Sequence, residues 1–190
     1  MTSFEYLSVL VSIVLALGIT HILTGLSSIL RSEGKVRLCW IQLSWCLVTL
    51  ALQVSVWWRY WEFRSRETWG LFEFLSLLVV PALAYLAAFI IMPDVIRDDS
   101  YDLRAHFDQV RQEFFGTLFI ALVFSPVSRA LFFDQPLLSL QFAPIAVLAL
   151  MVPTGAFIAD RRWQGGLVLS VIGVWILSVL FVWEDLRQVI

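Results

Sequence analysis

The chain has 190 residues, of which 60% are hydrophobic and 15% charged, and its formal net charge is −2. Intrinsic disorder is excluded because it requires few apolar residues, and a nucleic-acid partner is not expected because no basic patch is there to neutralise phosphates. A soluble helical protein is excluded as well, because its helices would lack polar residues for their outer faces. The composition therefore predicts an integral membrane protein whose main partner is the lipid bilayer.

Six uncharged stretches follow one another along the chain, at residues 6–30, 38–58, 74–93, 114–128, 135–159 and 163–183. A helix needs about 20 apolar residues to cross the hydrocarbon core of a bilayer. Five stretches meet that length, and the fourth does so only if Arg129 lies inside the membrane. We therefore expect an all-α, polytopic membrane bundle with no soluble domain. It forms a single domain over residues 1–190, with six transmembrane helices at about 4–30, 38–61, 69–92, 103–133, 136–159 and 163–186.

Arginine and lysine residues are unevenly distributed between the two sides of this predicted bundle. Eight lie in the loops after the first, third and fifth helices, and five lie on the opposite side. Cytoplasmic loops of membrane proteins carry the excess of Arg and Lys. The sequence therefore places both termini outside the cytoplasm.

The longest polar segment, residues 94–113, precedes the fourth predicted helix. Its apolar residues recur at helical spacing, which predicts a helix that begins at the cytoplasmic interface and continues into the membrane. Asp99, Ser100 and Asp102 are each suited to cap its first turn. Two interpretations remain open, an anchor at the interface or a docking site for a protein partner. The acidic side chains that are candidates for binding a partner or a cation are Asp94, Asp98, Asp99 and Asp102.

Three charged residues are predicted to lie at membrane depth on the same side of the bundle. Arg129 and Glu73 lie roughly 6 Å inside the boundary, by the rise of an α-helix, and Arg59 closes the second helix. Because an isolated charge is costly there, we expect them to form an Arg59–Glu73–Arg129 cluster. Three interpretations remain open: a salt bridge that locks helices two, three and four, the lining of a cavity or ion pathway, or side chains that extend separately to the interface.

His21 is the other polar group at membrane depth, about 13 Å from the opposite end of the first helix. Thr24, Gly25 and Ser28 share its helix face, which is polar and small. Such a face suits close helix packing with interhelical hydrogen bonds, and it also suits a proton relay or a substrate contact. The expected partners on the second helix are Gln42, Thr49 and Gln53.

Signs of cofactor or metal chemistry are few in the sequence. His106, the only other histidine, is predicted to lie outside the hydrocarbon, more than about 20 Å in depth from His21, so that one chain does not ligate a haem with both. Two copies of His21 in a dimer would still permit a haem. The chain has no Cys-x-x-Cys, Walker loop or His-Glu-x-x-His motif. We therefore expect no cofactor, no metal site and no catalytic residue.

Three parts of the chain carry a resemblance: Gly18–Leu26, Gln53–Trp58, and Met92–Asp94 followed by Tyr101–Arg104. They resemble a group of small six-helix bacterial inner-membrane proteins of unknown activity, over about the first 110 residues. The resemblance implies a multi-pass protein of the bacterial plasma membrane and brings no activity with it.

Three hypotheses for the function remain open. The first is a small oligomeric channel or transporter, in which the charged cluster and His21 line or gate a pathway. The small-residue pairs Gly155–Ala159 and Gly166–Ser170 offer contact faces for a homo-oligomer. The second is a non-catalytic membrane subunit or assembly protein that docks through the polar segment. The third is a membrane redox or haem-binding protein.

Overall fold

The computed structural model describes residues 3–32, 36–66, 68–93, 101–133 and 142–189. Within these ranges the chain consists of helices, short connections and two strands of two residues each, which confirms the predicted all-α class. The elements in chain order are α1 (Ser3–Arg31), β1 (Val36–Arg37), α2 (Trp40–Arg59), a 3-10 helix (Tyr60–Phe63), α3 (Leu71–Ile91), β2 (Tyr101–Asp102), α4 (Leu103–Phe132), α5 (Ala143–Met151), α6 (Thr154–Phe157) and α7 (Arg161–Val189).

Five helical segments in the described part of the chain are long and apolar enough to cross a membrane. They are α1, α2 with its 3-10 extension, α3, α4 and the first 20 residues of α7. The fourth uncharged stretch is the shortest of the six, yet α4, the helix that contains it, has 30 residues. At about 1.5 Å per residue it is roughly 45 Å long. Arg129 lies inside this helix, in its last turn.

The fifth predicted helix, at 136–159, is described only in its second part, and there it is interrupted. The two short helices α5 and α6 are separated at Val152 and Pro153. A proline has no N–H to donate to the carbonyl four residues earlier, and its ring clashes with that carbonyl, so the α-helix ends before it. The apolar stretch Ala143–Phe157 is shorter than the five long segments.

The two short helices nevertheless connect opposite ends of the molecule. Phe142, directly before α5, lies with its ring 5.9 Å from the guanidinium carbon of Arg59, at the end of α2. Gly155, in α6, lies against the ring of Phe115, which belongs to the first half of α4. α5 and α6 therefore run antiparallel to α4 and form the return pass between α4 and α7.

Contacts between the helices define the two ends of the bundle. Val36 of β1 pairs with Tyr101 of β2 in a parallel register, so the connection after α1 meets the start of α4. We call this the strand end. The opposite end contains Arg59, at the last position of α2, and Arg129, in the last turn of α4, and we call it the arginine end.

Successive helical passes alternate in direction between these two ends. Gln42, near the start of α2, contacts Ile91 at the end of α3. Trp57, near the end of α2, donates a hydrogen bond to Ser12 of α1. Gly165, near the start of α7, lies against the ring of Trp40, so α7 runs parallel to α2. The described helices therefore form an up-and-down bundle.

Two apolar clusters fill the interior, one in each half of the bundle. In the strand half, Trp45 packs edge-on against Phe114 and Phe115, with ring centroids 5.7 Å and 4.9 Å apart. All three side chains are completely buried. In the arginine half, Leu7 and Val56 belong to a smaller cluster. The strand half is therefore closed by large rings, whereas the arginine half has fewer buried side chains.

A hydrogen bond between α2 and α3 compensates for a proline within α3. Pro81 lies inside this helix and cannot donate to the carbonyl of Leu77, four residues earlier. The hydroxyl of Tyr60, in the 3-10 helix after α2, donates to that carbonyl instead. Tyr60 is buried, so without this bond the carbonyl would lose its partner in an apolar environment. The bond thus fixes the end of α2 against the middle of α3.

This pairing makes a testable prediction. Tyr60→Phe should lower the free energy of unfolding by about 1–3 kcal/mol, the usual effect of leaving a buried acceptor unsatisfied. The control is Tyr85→Phe, which removes a hydroxyl that forms no hydrogen bond with the described residues, and which should have little effect. Pro81→Ala restores the helical N–H, so Tyr60→Phe should be nearly neutral in that background. Chemical unfolding in detergent gives the free energy of unfolding of the wild type and of the four variants. Equal effects of Tyr60→Phe in both backgrounds would contradict the pairing.

Candidate functional site at the arginine end

A small cavity lies between α2, α3 and α4 at the arginine end, with a volume of about 30 Å³. A cavity of this size has room for one or two water molecules. The residues around it include two arginines and several residues with hydroxyls, but the surface that faces the cavity is mostly apolar. The lining residues are Val56, Arg59, Tyr60, Ser76, Leu77, Val80, Ser125, Ser128 and Arg129.

Arg129 forms one wall of the cavity and is buried, with 6% of its side chain exposed. Its guanidinium forms an ion pair with Glu62, whose side chain is 47% exposed. The guanidinium carbon also lies 5.1 Å from the ring centroid of Phe63. Because Glu62 and Phe63 belong to the 3-10 helix, this short extension of α2 provides the surroundings of the buried charge. Glu62 also connects the wall of the cavity to the surface at the arginine end.

Arg59 forms another part of the wall. Its guanidinium lies over the ring of Phe142, and among the described residues it forms no ion pair within 4.0 Å. The described residues around the cavity therefore provide two guanidinium groups and one carboxylate. A buried cation is unfavourable unless an opposite charge or hydrogen-bond acceptors surround it. Two arginines of the described residues thus border the cavity, and Glu62 is the carboxylate paired with one of them.

Glu73 does not take part in this cluster, contrary to the expectation from the sequence. Its carboxylate accepts a hydrogen bond from Arg66 at 2.7 Å and from the N–H of Gly70 at 2.9 Å. Glu73 is the third residue of α3, and an acidic side chain at this position reaches back to the start of its own helix. The predicted Arg59–Glu73–Arg129 cluster is therefore wrong in its acidic residue. The carboxylate that pairs with Arg129 belongs to Glu62, and Glu73 pairs with Arg66.

Glu62 was missed because it lies beyond the end of the second uncharged stretch, where an acidic residue looks like part of a loop. The signal that could have found it is its spacing from Arg59. Residues three apart on a continuous helix lie on the same face. A helical extension past Arg59 places Glu62 beside the arginines, and the 3-10 helix Tyr60–Phe63 is that extension.

His21 lies in the strand half, far along α1 from the cavity. Its Nε2 donates a hydrogen bond to the carbonyl of Met92 at 2.8 Å, and its ring stacks on Phe89 with centroids 4.5 Å apart. Gly25, one turn further along α1, lies against the side chain of Met92. Thr24 is exposed on the outer surface of α1 and does not accompany His21. The contacts of His21 are therefore those of close helix packing.

The C-terminal end of α3 receives side chains from three other helices. Gln42 of α2 donates to the carbonyl of Ile91 at 2.7 Å, and His106 of α4 donates to the carbonyl of Ile90 at 3.3 Å. Together with His21 they satisfy three successive carbonyls. The last carbonyls of a helix have no partner within the helix, so these three donors form an interhelical cap. This cap fixes α1, α2 and α4 around the end of α3.

The expected separation of the two histidines is contradicted by this cap. His21 and His106 contact carbonyls only two residues apart in sequence, at the same end of α3. The reason is that the first turns of α4 pack against the bundle, where Leu103 and Phe107 are buried, instead of extending away from it. The Nδ1 atom of His106 accepts a hydrogen bond from the hydroxyl of Tyr101 at 3.2 Å. Ligation of a haem by both Nε2 atoms would break the cap.

Gln53 is completely buried, and neither end of its amide has a hydrogen-bond partner among the described residues. It packs so closely on α1 that a Cβ atom added at Gly18 would lie 2.7 Å from its Oε1. Thr49, also predicted as a partner of His21, donates instead to the carbonyl of Trp45 within α2. Neither residue lines the cavity.

Of the acidic candidates before α4, the structure describes Asp102 alone, and Asp94, Asp98 and Asp99 lie outside the described residues. Asp102 is the N-cap of α4, and its carboxylate accepts hydrogen bonds from the N–H groups of Arg104 and Ala105. Desolvation raises the pKa of this carboxyl, but those bonds and the nearby guanidinium of Arg37 outweigh it, so its pKa lies below the ordinary value. Among the described residues no group of three His, Cys, Asp or Glu side chains is placed to hold a metal ion.

Comparisons of the chain with protein-family models, with curated proteins and with solved structures found no match. The functional argument therefore rests on the geometry of the cavity and on the helices that surround it.

The corrected ion pair makes a testable prediction. In a double-mutant cycle, Arg129→Gln and Glu62→Gln should be coupled by about 0.5–3 kcal/mol, because each change removes the same contact. Arg129→Gln and Glu73→Gln should be additive, since these residues do not pair. Unfolding in detergent provides the free energies. A coupling energy with Glu73 that equals or exceeds the one with Glu62 would show that the pairs are assigned incorrectly.

A second prediction concerns the acid limb of stability. The pKa of Asp102 is lower in the folded state than in the unfolded chain, so its stabilisation is present above the unfolded value of about 4 and is lost as pH falls through the lowered folded value. Between about pH 5 and pH 3 the Tm of the wild type should fall more steeply than that of Asp102→Asn. Asp108→Asn, which changes an exposed carboxyl of the same helix, should follow the wild type. A parallel decline in the Tm of all three proteins would be evidence against the role of Asp102 as the N-cap of α4.

Proposed function

We propose that the chain is a multi-pass protein of the bacterial inner membrane that works as a small oligomeric transporter, with the cavity between α2, α3 and α4 as its solute-binding site. The observation that carries this proposal is the pair of guanidinium groups around a cavity inside an otherwise apolar bundle. Charged groups at membrane depth are unfavourable unless they are used or paired, and they commonly mark solute and ion pathways.

The outer surface supports a membrane location. Large apolar side chains are exposed along the helices, among them Leu30, Leu131, Leu150 and Phe157, which are 86%, 71%, 80% and 81% exposed. A surface this apolar is unusual for a soluble monomer but is what lipid chains require. Exposed tryptophans occur at both ends of the bundle, as in the interfacial belts of membrane proteins: Trp40 and Trp163 at the strand end, and Trp57, Trp58 and Trp61 at the arginine end.

The orientation of the bundle follows from the distribution of positive charge. Arg31, Arg37, Arg161 and Arg162 lie in or beside the connections at the strand end. By the positive-inside rule this end faces the cytoplasm. The arginine end and both termini then face the periplasm. The cavity is therefore proposed to receive its solute from the periplasmic side, along a path that passes the half-exposed Glu62.

The closed strand half favours a transporter over an open channel. The rings of Trp45, Phe114 and Phe115 fill the interior of the strand half, and the cap on α3 fixes the helices there. A continuous pore would need a polar or hydrated path through this region. A site that is accessible from one side and closed on the other is one state of an alternating-access cycle.

Association of two or more chains is also part of this proposal. Gly155, in one of the two small-residue pairs, is used within the chain, where it packs on Phe115. Gly166 and Ser170, in the other pair, are exposed on α7. A Cβ atom added at Gly166 would meet no described atom within 4 Å. Such a small, open face permits close approach of a second helix.

Flux measurements on reconstituted protein test the proposal. Proteoliposomes are assayed with a panel of chloride, formate, potassium and ammonium, and the wild type should raise the flux of at least one of them several-fold above protein-free liposomes. Ser128→Val, which fills a buried part of the cavity wall, should remove most of that flux. Thr24→Val, a comparable change on the exposed face of α1, should leave it intact.

Two results would contradict the proposal. One is the absence of flux for every member of the panel with a correctly folded wild type. The other is an equal flux in Ser128→Val and the wild type. Either result would favour the alternative, a non-catalytic subunit in which the cavity is only an imperfectly packed space beside Arg59 and Arg129.

A further inference from the structure

We propose that α3 and α4 form a hinge at Pro81 and Pro126, and that bending there opens and closes the cavity at the arginine end. The moving parts are residues 71–80 of α3 and 127–132 of α4, which we call the arginine-end arms. This inference rests on the proposed function, because it names the conformational change that gives a solute access to the cavity. The strand half stays fixed during this movement.

The positions of the two prolines are the first argument. Pro81 lies inside α3 and Pro126 inside α4, and these two helices pack against each other. The residues directly before them, Val80 and Ser125, both line the cavity, so the prolines lie at one level of the bundle. A proline removes one main-chain hydrogen bond and its ring crowds the preceding turn, which is why bends in helices occur at prolines. Both helices are therefore easiest to bend at the level of the cavity.

The replacement bond in α3 is the second argument. The carbonyl of Leu77 has no helical donor because of Pro81, and it accepts a hydrogen bond from the hydroxyl of Tyr60 instead. A side-chain bond of this kind can break and form again while the α-helix stays intact, because no main-chain bond is lost. Tyr60 and Leu77 both line the cavity. The bond therefore holds the α3 arm against the end of α2 and can release it.

Space for the movement is the third argument. The interior of a folded protein is close-packed, so a helix segment can be displaced only where packing leaves room. The cavity of about 30 Å³ provides that room beside both prolines. Five of its nine lining residues belong to the arginine-end arms: Ser76, Leu77, Val80, Ser128 and Arg129. Displacement of the arms therefore changes the volume of the cavity directly.

The restraints on the two halves of the bundle are the fourth argument. In the strand half, the cap on α3 and the packing of Trp45 against Phe114 and Phe115 fix the helices. The α4 arm is held by the ion pair between Arg129 and Glu62, whose side chain is 47% exposed. Water reaches this carboxylate, so it can solvate both charges when the arm moves. The arms are therefore the less restrained ends of α3 and α4.

Distances between spin labels on the full chain in liposomes test this inference. One pair joins Phe72→Cys on the α3 arm to Leu177→Cys on α7. The matched pair joins Leu86→Cys to Leu169→Cys in the strand half of the same two helices. All four side chains are exposed, and α7 contains no proline. The two native cysteines are buried and are replaced by alanine, and labelled chains are diluted with unlabelled ones so that each distance is measured within one chain.

The expected result follows from the length of the α3 arm. Residues 71–80 extend about 15 Å along the helix, so a bend of about 20° at the proline moves the end of the arm by roughly 5 Å. The distribution of the Phe72–Leu177 distance in the wild type should therefore be wider than that of the Leu86–Leu169 distance by about that amount.

Replacing both prolines should remove this difference in width. In the variant with Pro81→Ala and Pro126→Ala both helices regain their missing main-chain bonds, so the arginine-end distribution should become as narrow as the strand-half one. The matched control is Pro144→Ala, at the start of α5, where a proline removes no helical hydrogen bond. This control should keep the widths of the wild type.

Equal widths of the two distributions in the wild type would overturn the inference, as would an unchanged width after both prolines are replaced. If that variant does not fold, the comparison of the two label pairs in the wild type decides the question alone. The outcome for transport is separate. A wide arginine-end distribution without flux in proteoliposomes would contradict the proposed transporter but leave the hinge in place. Flux with equal widths would contradict the hinge and leave a transporter.

Discussion

The burial of the Arg129 guanidinium determines the architecture of the arginine end. A charged group inside an apolar bundle is destabilising by several kcal/mol unless it is paired and hydrogen-bonded. Here the compensation comes from Glu62 and Phe63, both in the 3-10 helix that continues α2. This extension also carries Tyr60, which satisfies the carbonyl that Pro81 leaves free in α3. One short turn thus connects α2 to both α3 and α4, and the cavity lies between the three helices.

The two halves of the bundle differ in how their polar groups are satisfied. At the strand end His21, Gln42 and His106 donate to the carbonyls that end α3, and aromatic rings fill the space beside them. At the arginine end two guanidinium groups border a cavity that packing does not fill. This contrast supports a proposed function in which one half provides a rigid closure and the other a binding site.

Length and charge spacing in the sequence were sufficient to predict the helical class and a fourth helix that contains Arg129. They could not identify its partner, because Glu73 and Glu62 are both near the same predicted membrane boundary. The Glu73 carboxylate accepts a hydrogen bond from the N–H of Gly70 at the start of α3 and so does not pair with Arg129. This could be recognised only after the structure showed that α3 begins at Leu71. The position of His106 could not be predicted from the sequence either, because the packing of the first turns of α4 depends on residues that are distant along the chain. The break at Pro153 could be expected from its chemistry, but prolines are tolerated in membrane helices often enough that composition does not decide it.

The account depends most directly on what occupies the cavity beside Arg59. A crystal structure of the full chain in lipid, at a resolution that shows ordered water, would reveal the contents of the cavity without reference to stability or transport. The account predicts that Arg129 pairs with Glu62 and that ordered water or solute lies between α2, α3 and α4. A dry cavity, with Arg129 paired to Glu73 in place of Glu62, would contradict it.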